Sequence, residues 1–519
     1  MGKPGNLHPV LFAILPVLSV YAHNQGLVSI DQVWLPLAIA AVLSLLVWLG
    51  GYFAFKRDRT KAGVFTSICM LSFFSYGYFF KFLGFLSLAG VELAQHKYVF
   101  PAWACLLALT GLFLLRTRKN LLRCSDFLGL VAVALTVFSM AKIAAQPAGG
   151  GVLGAGLHID NGENDGSGTA GTAADIYYII LDGCSRADVL KETYQLDISG
   201  FIARLEERGF FVAGQSTSNY SQTYLSLASS LNFNYLDGLV AQVGPDSDNR
   251  LPLRRMIQDN QVVSFLRKRG YVFISFASGM NFTEIKTADR YMAGQQTLSE
   301  FDNLLLNLTP VPALVNKLFF NASNYQYDAH RSRILYALEH LEDVARIEAP
   351  TFTFVHLLAC HPPYVFGEHG EAVQSRRDFS LEDGNFFIQQ AGREAYRASY
   401  RQQLRFILDQ LEKAIDEIIA DSEAGPILIL QADHGGGSSL DFESLAGTDL
   451  QERMPILNAY CLPGDGRAHL YAAITPVNTF RVILNAYFGA GLELLEDRNF
   501  YSTLSRPYQL TEVTRRIKP

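Results

Sequence analysis

Two short polar segments, far apart in the chain, each follow an apolar run that is typical of a buried strand. Asp182 follows the run 176–181, and Asp433 with His434 follows the run 427–430. An acid at the carboxyl end of a buried strand is where α/β enzymes hold a cation. Two carboxylates and an imidazole therefore predict one divalent metal site. The alternatives are a helix cap or turn at Asp182 and a polar turn at Asp433.

A candidate nucleophile lies between these two segments. The stretch 219–229 places Ser221 and Thr223 where a helix is predicted to begin. The N-terminus of a helix offers unpaired N–H groups and a positive dipole end, which suit a phosphoryl oxygen. A threonine hydroxyl becomes a usable nucleophile when a divalent metal lowers its pKa. The alternative is simple capping of the helix by either hydroxyl, and taken alone the segment favours capping.

Two histidines flank the end of another apolar strand. His356 lies nearer the strand interior, and His361 opens the turn 361–364, which contains two prolines. An imidazole at a strand end can donate to a phosphoryl oxygen or protonate a leaving alkoxide. One of the two can equally be a structural histidine of the core, and His356 is the better candidate for that role.

The elements that must position these residues alternate between strands and helices from Asp175 onward, which predicts an α/β fold with a largely parallel sheet. An apolar segment, 303–320, contains two prolines and is expected to be a surface segment near the membrane or a lid. The predicted strands are 176–181, 210–213, 271–276, 351–358 and 427–431, and the predicted helices are 198–208, 223–231, 253–269, 331–345 and 394–419.

The first part of the chain is far more apolar than the rest. Hydrophobic residues make up 49% of the sequence, and they concentrate before about residue 145. Most of the apolar stretches approach the ~20 residues that cross a bilayer. The first is short, but only Lys3 precedes it and no clean cleavage site follows, so we expect a retained helix. The five stretches are Pro9 to Tyr21, Val33 to Phe55, Gly63 to Phe80, Tyr98 to Leu115 and Phe127 to Ala144.

The charges of the connecting loops predict the orientation. Loops 56–61 and 116–119 are strongly basic, whereas loop 22–32 contains no Lys or Arg. The positive-inside rule therefore places the second and fourth connections in the cytoplasm. The N-terminus is then inside, and the chain after Ala144 is outside. We expect a transmembrane domain of five helices at 1–145, a flexible Gly-rich linker at 146–174 and an extracytoplasmic catalytic domain at 175–519.

Charge and cysteine content exclude several classes of site. The net charge of −6 argues against a nucleic-acid partner. Cys184, Cys360 and Cys461 lie in the predicted extracytoplasmic part, so at most one disulfide can form there. No paired-cysteine pattern of a zinc site occurs.

The order and spacing of the motifs resemble the sulfatase-like branch of the alkaline phosphatase superfamily. In that branch a strand ends in an acidic ligand, a Thr, Ser or Cys nucleophile opens a helix downstream, and Asp-His-Gly follows a late strand. Asp182, Thr223 and the segment 433–435 match this order. The turn at His361 is similar to the substrate turn of these enzymes. The resemblance covers about 175–500 and implies an alkaline phosphatase/sulfatase-like α/β/α domain.

The resemblance also implies roles for individual residues. It implies one divalent metal, Mn or Mg for a set of oxygen and imidazole ligands, with Zn as an alternative. The metal would be bound by Asp182, Thr223, Asp433 and His434, and Thr223 would also be the nucleophile. His361 would bind substrate or act as the acid. Two further residues would contact substrate, His356 and Arg186.

Two features narrow the implied function. The Cys/Ser-x-Pro-x-Arg motif of sulfatases does not surround Thr223, which argues against ordinary sulfate-ester hydrolysis. Membrane spans before an extracytoplasmic domain are similar to lipoteichoic acid synthases and lipid A phosphoethanolamine transferases. The chain differs from the lipoteichoic acid synthases in having Asp182 where they have Glu. It differs from the phosphoethanolamine transferases in lacking their many disulfides.

The implied protein is therefore a multi-pass enzyme of the bacterial cytoplasmic (inner) membrane. It would transfer phosphoglycerol or phosphoethanolamine from a membrane phospholipid to an envelope glycan or lipid through a phospho-threonine. The alternatives are a membrane-anchored phosphodiesterase or sulfatase-like hydrolase and a non-catalytic lipid-binding envelope protein.

Overall fold

The structure is a computed structural model that describes residues 7–24, 28, 30–84, 87–88, 91–92, 96–145, 174–294, 299–318, 325–373, 379–381, 384–422 and 425–518. The chain divides into two compact units. One is Met1–Gly150 with Leu298–Tyr325, and the other is Gly151–Thr297 with Gln326–Pro519. The predicted linker 146–174 lies outside the described residues, apart from Ala174.

Helices occur in both units. In chain order they are α1 (His8–Asn24), α2 (Asp31–Ala54), α3 (Arg59–Gly84), α4 (His96–Arg116), α5 (Leu122–Ala145), α6 (Ala187–Tyr194), α7 (Ser199–Glu207), α8 (Thr223–Ser230), α9 (Asp237–Val243), α10 (Leu251–Gln258), α11 (Gln261–Arg267), α12 (Glu300–Asn307), α13 (Val311–Leu318), α14 (Tyr325–Glu339), α15 (Gly384–Ala391), α16 (Arg393–Asp421), α17 (Leu450–Arg453) and α18 (Pro476–Phe488).

The strands are short. They are β1 (Ser87–Leu88), β2 (Val91–Glu92), β3 (Ile176–Leu181), β4 (Phe211–Val212), β5 (Val272–Phe276), β6 (Arg290–Met292), β7 (Thr351–Leu357), β8 (Ile427–Gln431), β9 (Asn458–Cys461), β10 (Phe500–Tyr501) and β11 (Thr511–Glu512).

The N-terminal unit is built on helices α1 to α5. Four of them, α2 to α5, are long and apolar enough to cross a membrane. Helix α1 has only 17 residues and contains Pro16, so a count of five spans is not confirmed. Large apolar side chains such as Leu35, Phe53 and Leu130 are 67–70% exposed. Such surfaces on long helices are what a lipid environment would cover.

A segment from the second half of the sequence packs on these helices. Helices α12 and α13 belong to the N-terminal unit. Phe301 and Leu305 of α12 join the buried cluster that contains Phe12 and Val17 of α1. The Gly77 amide of α3 donates to the carbonyl of Leu308 at 3.0 Å. The apolar segment expected near the membrane or as a lid is thus, where described, a packed part of this unit.

The second unit contains a seven-stranded sheet in the order β4-β9-β8-β3-β7-β5-β6. Strands β8, β3, β7, β5 and β6 run parallel, and β9 is antiparallel to both of its neighbours. The predicted largely parallel sheet is therefore a mixed α/β sheet. Leu181 lies opposite Leu357, and Ile180 opposite Gln431, so the central strands end at one edge.

Two hydrophobic cores cover the two faces of this sheet. Alternate residues of β3 point to opposite faces, as a period of two requires. Tyr177 and Ile179 pack in one core with α16, whereas Tyr178 and Ile180 pack in the other with α8 and α18. Helices on both faces give three layers, α/β/α.

One predicted helix, 253–269, is two helices in the structure. Helix α10 ends at Gln258, and α11 starts at Gln261. The Asn260 side chain accepts from the Val263 amide at 2.9 Å, so it caps α11. An asparagine N-cap within a continuous hydrophobic periodicity is the physical reason for the break.

Candidate metal centre

Three neighbouring parallel strands deliver ionisable side chains to one edge of the sheet. Asp182 directly follows β3, His356 lies near the end of β7, and Asp433 lies two residues after β8. One ligand atom from each lies within 4.8 Å of the others, and all three residues are buried. The carboxyl ends of parallel strands meet at one edge, which is why distant parts of the chain converge here.

The distances define a compact cluster. His356 Nε2 lies 3.2 Å from Asp182 Oδ2. His434 Nε2 lies 3.3 Å from Asp433 Oδ2 and 3.7 Å from Asp182 Oδ1. The other oxygen of Asp433 accepts the Gly183 amide at 3.1 Å. These side chains are at most 2% exposed, so water does not screen their charges.

Several atoms of the cluster lack hydrogen-bond partners. Both carboxylate oxygens of Asp182, Oδ2 of Asp433 and Nε2 of His356 are buried without one. Leaving a buried polar atom unsatisfied costs about 1–3 kcal/mol, and more when the group is charged. Two buried carboxylates with imidazoles and no thiolate fit a divalent cation of the Mg, Mn or Zn type.

The pKa of Asp182 supports an ionised carboxylate. Burial opposes ionisation, but the charge of nearby His361, together with the close imidazoles of His356 and His434, holds the pKa of Asp182 well below its usual value. The ionised carboxylate is therefore available to a cation.

The structure places Nε2 of His356 in the candidate metal cluster. Its predicted contact with substrate stays a prediction. The reason for this placement is the register: His356 pairs with Ile180, two positions before Asp182. Its Nδ1 lies 2.8 Å from the hydroxyl of Thr283, which orients the ring. Thr283 lies in the loop after β5, where no sequence motif indicated it.

Thr223 is the first residue of α8 and is 8% exposed. Its Oγ1 lies 2.9 Å from Nε2 of His434. Gln222 occupies the N-cap position, and its side chain makes no capping hydrogen bond. The hydroxyl of Thr223 is directed to His434 of the cluster and does not cap the helix. A hydroxyl held at a helix N-terminus beside a cation site has the placement of a nucleophile toward a phosphoryl group.

The two remaining predicted site residues, His361 and Arg186, have different surroundings. His361 is 4% exposed, its Nδ1 faces the carbonyl of Pro362, and its charge acts on Asp182. The guanidinium of Arg186 instead forms two hydrogen bonds of 2.8 Å with Asp188. It lines a cavity of about 400 Å³ together with Val212 and other residues. The geometry gives no support to the predicted contact of Arg186 with a phosphoryl group.

The glycine turn after His434 is tightly packed. A Cβ on Gly435 would lie 2.3 Å from the carbonyl of Glu452 and 2.8 Å from that of Pro455. The Gly435 amide donates to the carbonyl of Arg453 at 2.7 Å. The absence of a side chain here lets the backbone approach closely and holds His434 in place.

No family model and no curated protein matches the sequence. Solved structures do resemble the chain. The C-terminal periplasmic domain of EcEptC from Escherichia coli, in complex with Zn, is 12% identical over 66% of this chain and 93% of that chain, with a TM-score of 0.42. The integral membrane lipooligosaccharide phosphoethanolamine transferase A (EptA) from Neisseria meningitidis is 12% identical over 92% and 95%, with a TM-score of 0.36.

The lipoteichoic acid synthase LtaP from Listeria monocytogenes is 10% identical over 64% of this chain and 78% of that chain, with a TM-score of 0.37. A 2-O GAG sulfatase is also among the similar structures. These proteins are of the kinds that the motif resemblance named.

Proposed function

We propose that this protein is a membrane-anchored, metal-dependent phosphotransferase. It would move a phospho-alcohol headgroup, phosphoglycerol or phosphoethanolamine, from a membrane phospholipid to an envelope glycan or lipid. The observation that carries the proposal is the hydroxyl of Thr223 at the start of α8, 2.9 Å from His434 and beside the two buried carboxylates.

We assign the cation to Asp182, Asp433, His434 and His356, with Thr223 beside it. A bound divalent cation would lower the pKa of the threonine hydroxyl and offset the charge of the phosphoryl oxygens. The unsatisfied carboxylate oxygens of Asp182 and Asp433 support this assignment. Including His356 changes the ligand set that the resemblance implied.

The proposed reaction has two balanced steps. Before the first step the hydroxyl of Thr223 loses its proton to water. The Thr223 alkoxide attacks the donor phosphorus, the phosphorus–oxygen bond to diacylglycerol breaks, and protonated His361 gives its proton to the departing alkoxide. An acceptor hydroxyl then attacks the phosphorus of phospho-Thr223, its proton returns to His361, and the threonine oxygen leaves as the alkoxide with which the cycle began. The amides at the start of α8 donate to the phosphoryl oxygens in both steps.

We further propose that the N-terminus is cytoplasmic and the α/β unit extracytoplasmic. The basic loops 56–61 and 116–119 support this orientation. Within the N-terminal unit, the Gly77 amide lies toward the end of α3 that is predicted to face outward. It donates to the carbonyl of Leu308 just beyond α12, which supports the same orientation.

The central test compares Thr223→Ala with Thr223→Ser in the full chain, purified in detergent and supplied with headgroup-labelled phospholipid. We expect Thr223→Ala to lose transfer by at least about a thousandfold, because no nucleophile remains. Thr223→Ser should keep measurable activity. Mass spectrometry of the wild type, incubated with donor alone, should find the headgroup phosphate on Thr223. Full activity of Thr223→Ala would exclude the proposal.

The same assay separates transfer from hydrolysis. If headgroup phosphate is released at the full rate without a glycan or lipid acceptor, water is the acceptor and the protein is a hydrolase. If release requires the acceptor, the protein is a transferase.

A further inference from the structure

Two buried thiols lie next to residues of the candidate metal centre. Cys184 is two residues beyond Asp182, and Cys360 immediately precedes His361. Their exposed fractions are 0% and 1%. Burial, together with the nearby thiol of Cys184, raises the pKa of Cys360 well above its usual value.

The backbone brings the two cysteines together. Each lies three residues beyond a paired position of adjacent parallel strands, where Leu181 faces Leu357. The Cys360 amide donates to the carbonyl of Asp182 at 3.2 Å. A Cβ on Gly183 would lie 3.4 Å from the carbonyl oxygen of Cys360. The turns that carry the two cysteines therefore run side by side just beyond the strand ends.

Tyr400 of α16 holds this arrangement. Its hydroxyl donates to the carbonyl of Gly183 at 2.9 Å and accepts the amide of Ser185 at 3.1 Å, so it brackets Cys184 on both sides. The backbone on both sides of Cys184 is thereby fixed beside the turn that carries Cys360, whose amide bonds to Asp182.

The third cysteine of this unit has a different environment. Cys461 is on β9, is partly buried, and its sulfur contacts the carbonyl of Arg208 at 3.8 Å. Cys461 is therefore an internal control for thiol oxidation, because it lies in the same unit as Cys184 and Cys360 but away from them.

We propose that Cys184 and Cys360 form a disulfide that ties the turn carrying Asp182 to the turn carrying His361. This inference rests on the extracytoplasmic location in the proposed function, because disulfides persist in oxidising compartments. The oxidant would be a disulfide-bearing thiol oxidoreductase. Two S–H bonds are lost and one S–S bond forms, while the disulfide of the oxidoreductase is reduced to two thiols that take up both protons. Because the folded pair is buried, the bond would form before the core closes.

The experiment reads the thiol state of the full chain in cells. Intact cells are quenched with acid, and the protein is denatured and alkylated with N-ethylmaleimide before any reduction. We expect Cys461 to be alkylated, and Cys184 and Cys360 to appear as one linked peptide pair that separates on reduction. Cys461→Ser should leave that pair unchanged. Cys184→Ala should expose Cys360 to alkylation, and Cys360→Ala should expose Cys184.

Alkylation of both Cys184 and Cys360 in the unreduced wild type would overturn the proposal, and so would a link from either residue to Cys461. A second readout is thermal unfolding, in which a reductant should lower the midpoint of the wild type by several degrees but leave the Cys184→Ala/Cys360→Ala protein unchanged. The same thiol measurement on Thr223→Ala makes the result independent of transfer activity. Failure of the disulfide and failure of the proposed reaction are thereby distinguished.

Discussion

At the residue scale, the hydroxyl of Thr283 controls how His356 is presented to the cluster. It lies 2.8 Å from Nδ1 of His356 and donates to the Ser278 hydroxyl at 2.9 Å. Partners of this kind fix the ring of a metal-binding histidine. We expect Thr283→Val to weaken divalent metal binding by about 10–100-fold, measured by competition with a chelator. Thr283→Ser keeps the hydroxyl and should bind as the wild type does. Equal affinities of the Val and wild-type proteins would contradict this role.

A second residue, His330, makes stability depend on pH. It is fully buried, and burial, followed by the charges of Arg333, His361 and Arg331, holds its pKa well below the usual 6.5. Below about pH 6.5 the unfolded chain therefore binds a proton at this residue that the folded chain does not. Above that pH, His330 does not lower the free energy of unfolding. As the pH decreases below about 6.5, the free energy of unfolding decreases by up to about 1.4 kcal/mol per pH unit because of this residue.

We expect His330→Asn to flatten the decline of the thermal midpoint between pH 7 and pH 5.5. The measurement uses the full chain in detergent. His369 is exposed, so His369→Asn serves as the matched control and should decline like the wild type. An unchanged decline in His330→Asn would assign the pH dependence to other groups.

Much of the site could be predicted at this scale because its residues sit in short motifs beside strands. Asp182, Thr223 and the Asp433-His434 pair are of this type, and the structure brings them together. The cluster position of His356 could not be predicted, since it depends on the register of β7 against β3. The contact of Arg186 with substrate stays a prediction, and the pairing of its guanidinium with Asp188, only two residues away, had no signal in the motifs.

At the scale of elements, the turn after β8 depends on a residue without a side chain. A Cβ on Gly435 would press on the carbonyls of Glu452 and Pro455, which are backbone atoms that cannot rotate away. We expect Gly435→Ala to lower the free energy of unfolding by about 1–3 kcal/mol and to weaken metal binding through His434. Gly238 in α9 has open space around its Cβ position, so Gly238→Ala should be neutral or slightly stabilising. Similar thermal midpoints for the two variants would contradict the packing argument.

Five of the seven sheet strands and most helices were predictable because their hydrophobic periods differ, as the match between predicted 176–181 and β3 shows. Strands β6 and β9 were not predicted, because segments of three and four residues are too short to show a period or a direction. The break between α10 and α11 depends on the cap at Asn260, which is a local hydrogen bond within an unbroken apolar pattern.

At the scale of the whole molecule, one segment of the second half of the chain belongs to the N-terminal helices. A Cβ on Gly77 would lie 2.0 Å from the carbonyl of Asn307, so Gly77→Ala should push this segment off α3. We expect limited proteolysis within 299–318 to become several-fold faster. Gly50 of α2 has nothing near its Cβ position, and Gly50→Ala should be cut at the wild-type rate. Equal rates for the two variants would show that the contact does not hold the segment.

The division into an apolar helical part and an α/β part was predictable from composition, whereas this exchange of a segment was not. The hydrophobicity of 303–320 predicts that the segment is buried, but it does not identify the residues that bury it. Phe301 and Leu305 find their partners on α1, about 290 residues earlier in the chain, and no local pattern carries that information.

The order of the central strands bears on how the proposed cation site would be filled. Gly183, next to Asp182, and Asp433 meet although they are 250 residues apart, so the cluster is not assembled until β8 has joined the sheet. If the α/β unit lies outside the membrane, as proposed, a chain that crosses unfolded cannot carry a cation loaded in the cytosol. Occupancy would then follow the ion supply of the outer compartment, and scarcity of that ion outside the cell would leave a fully synthesised protein without its cation.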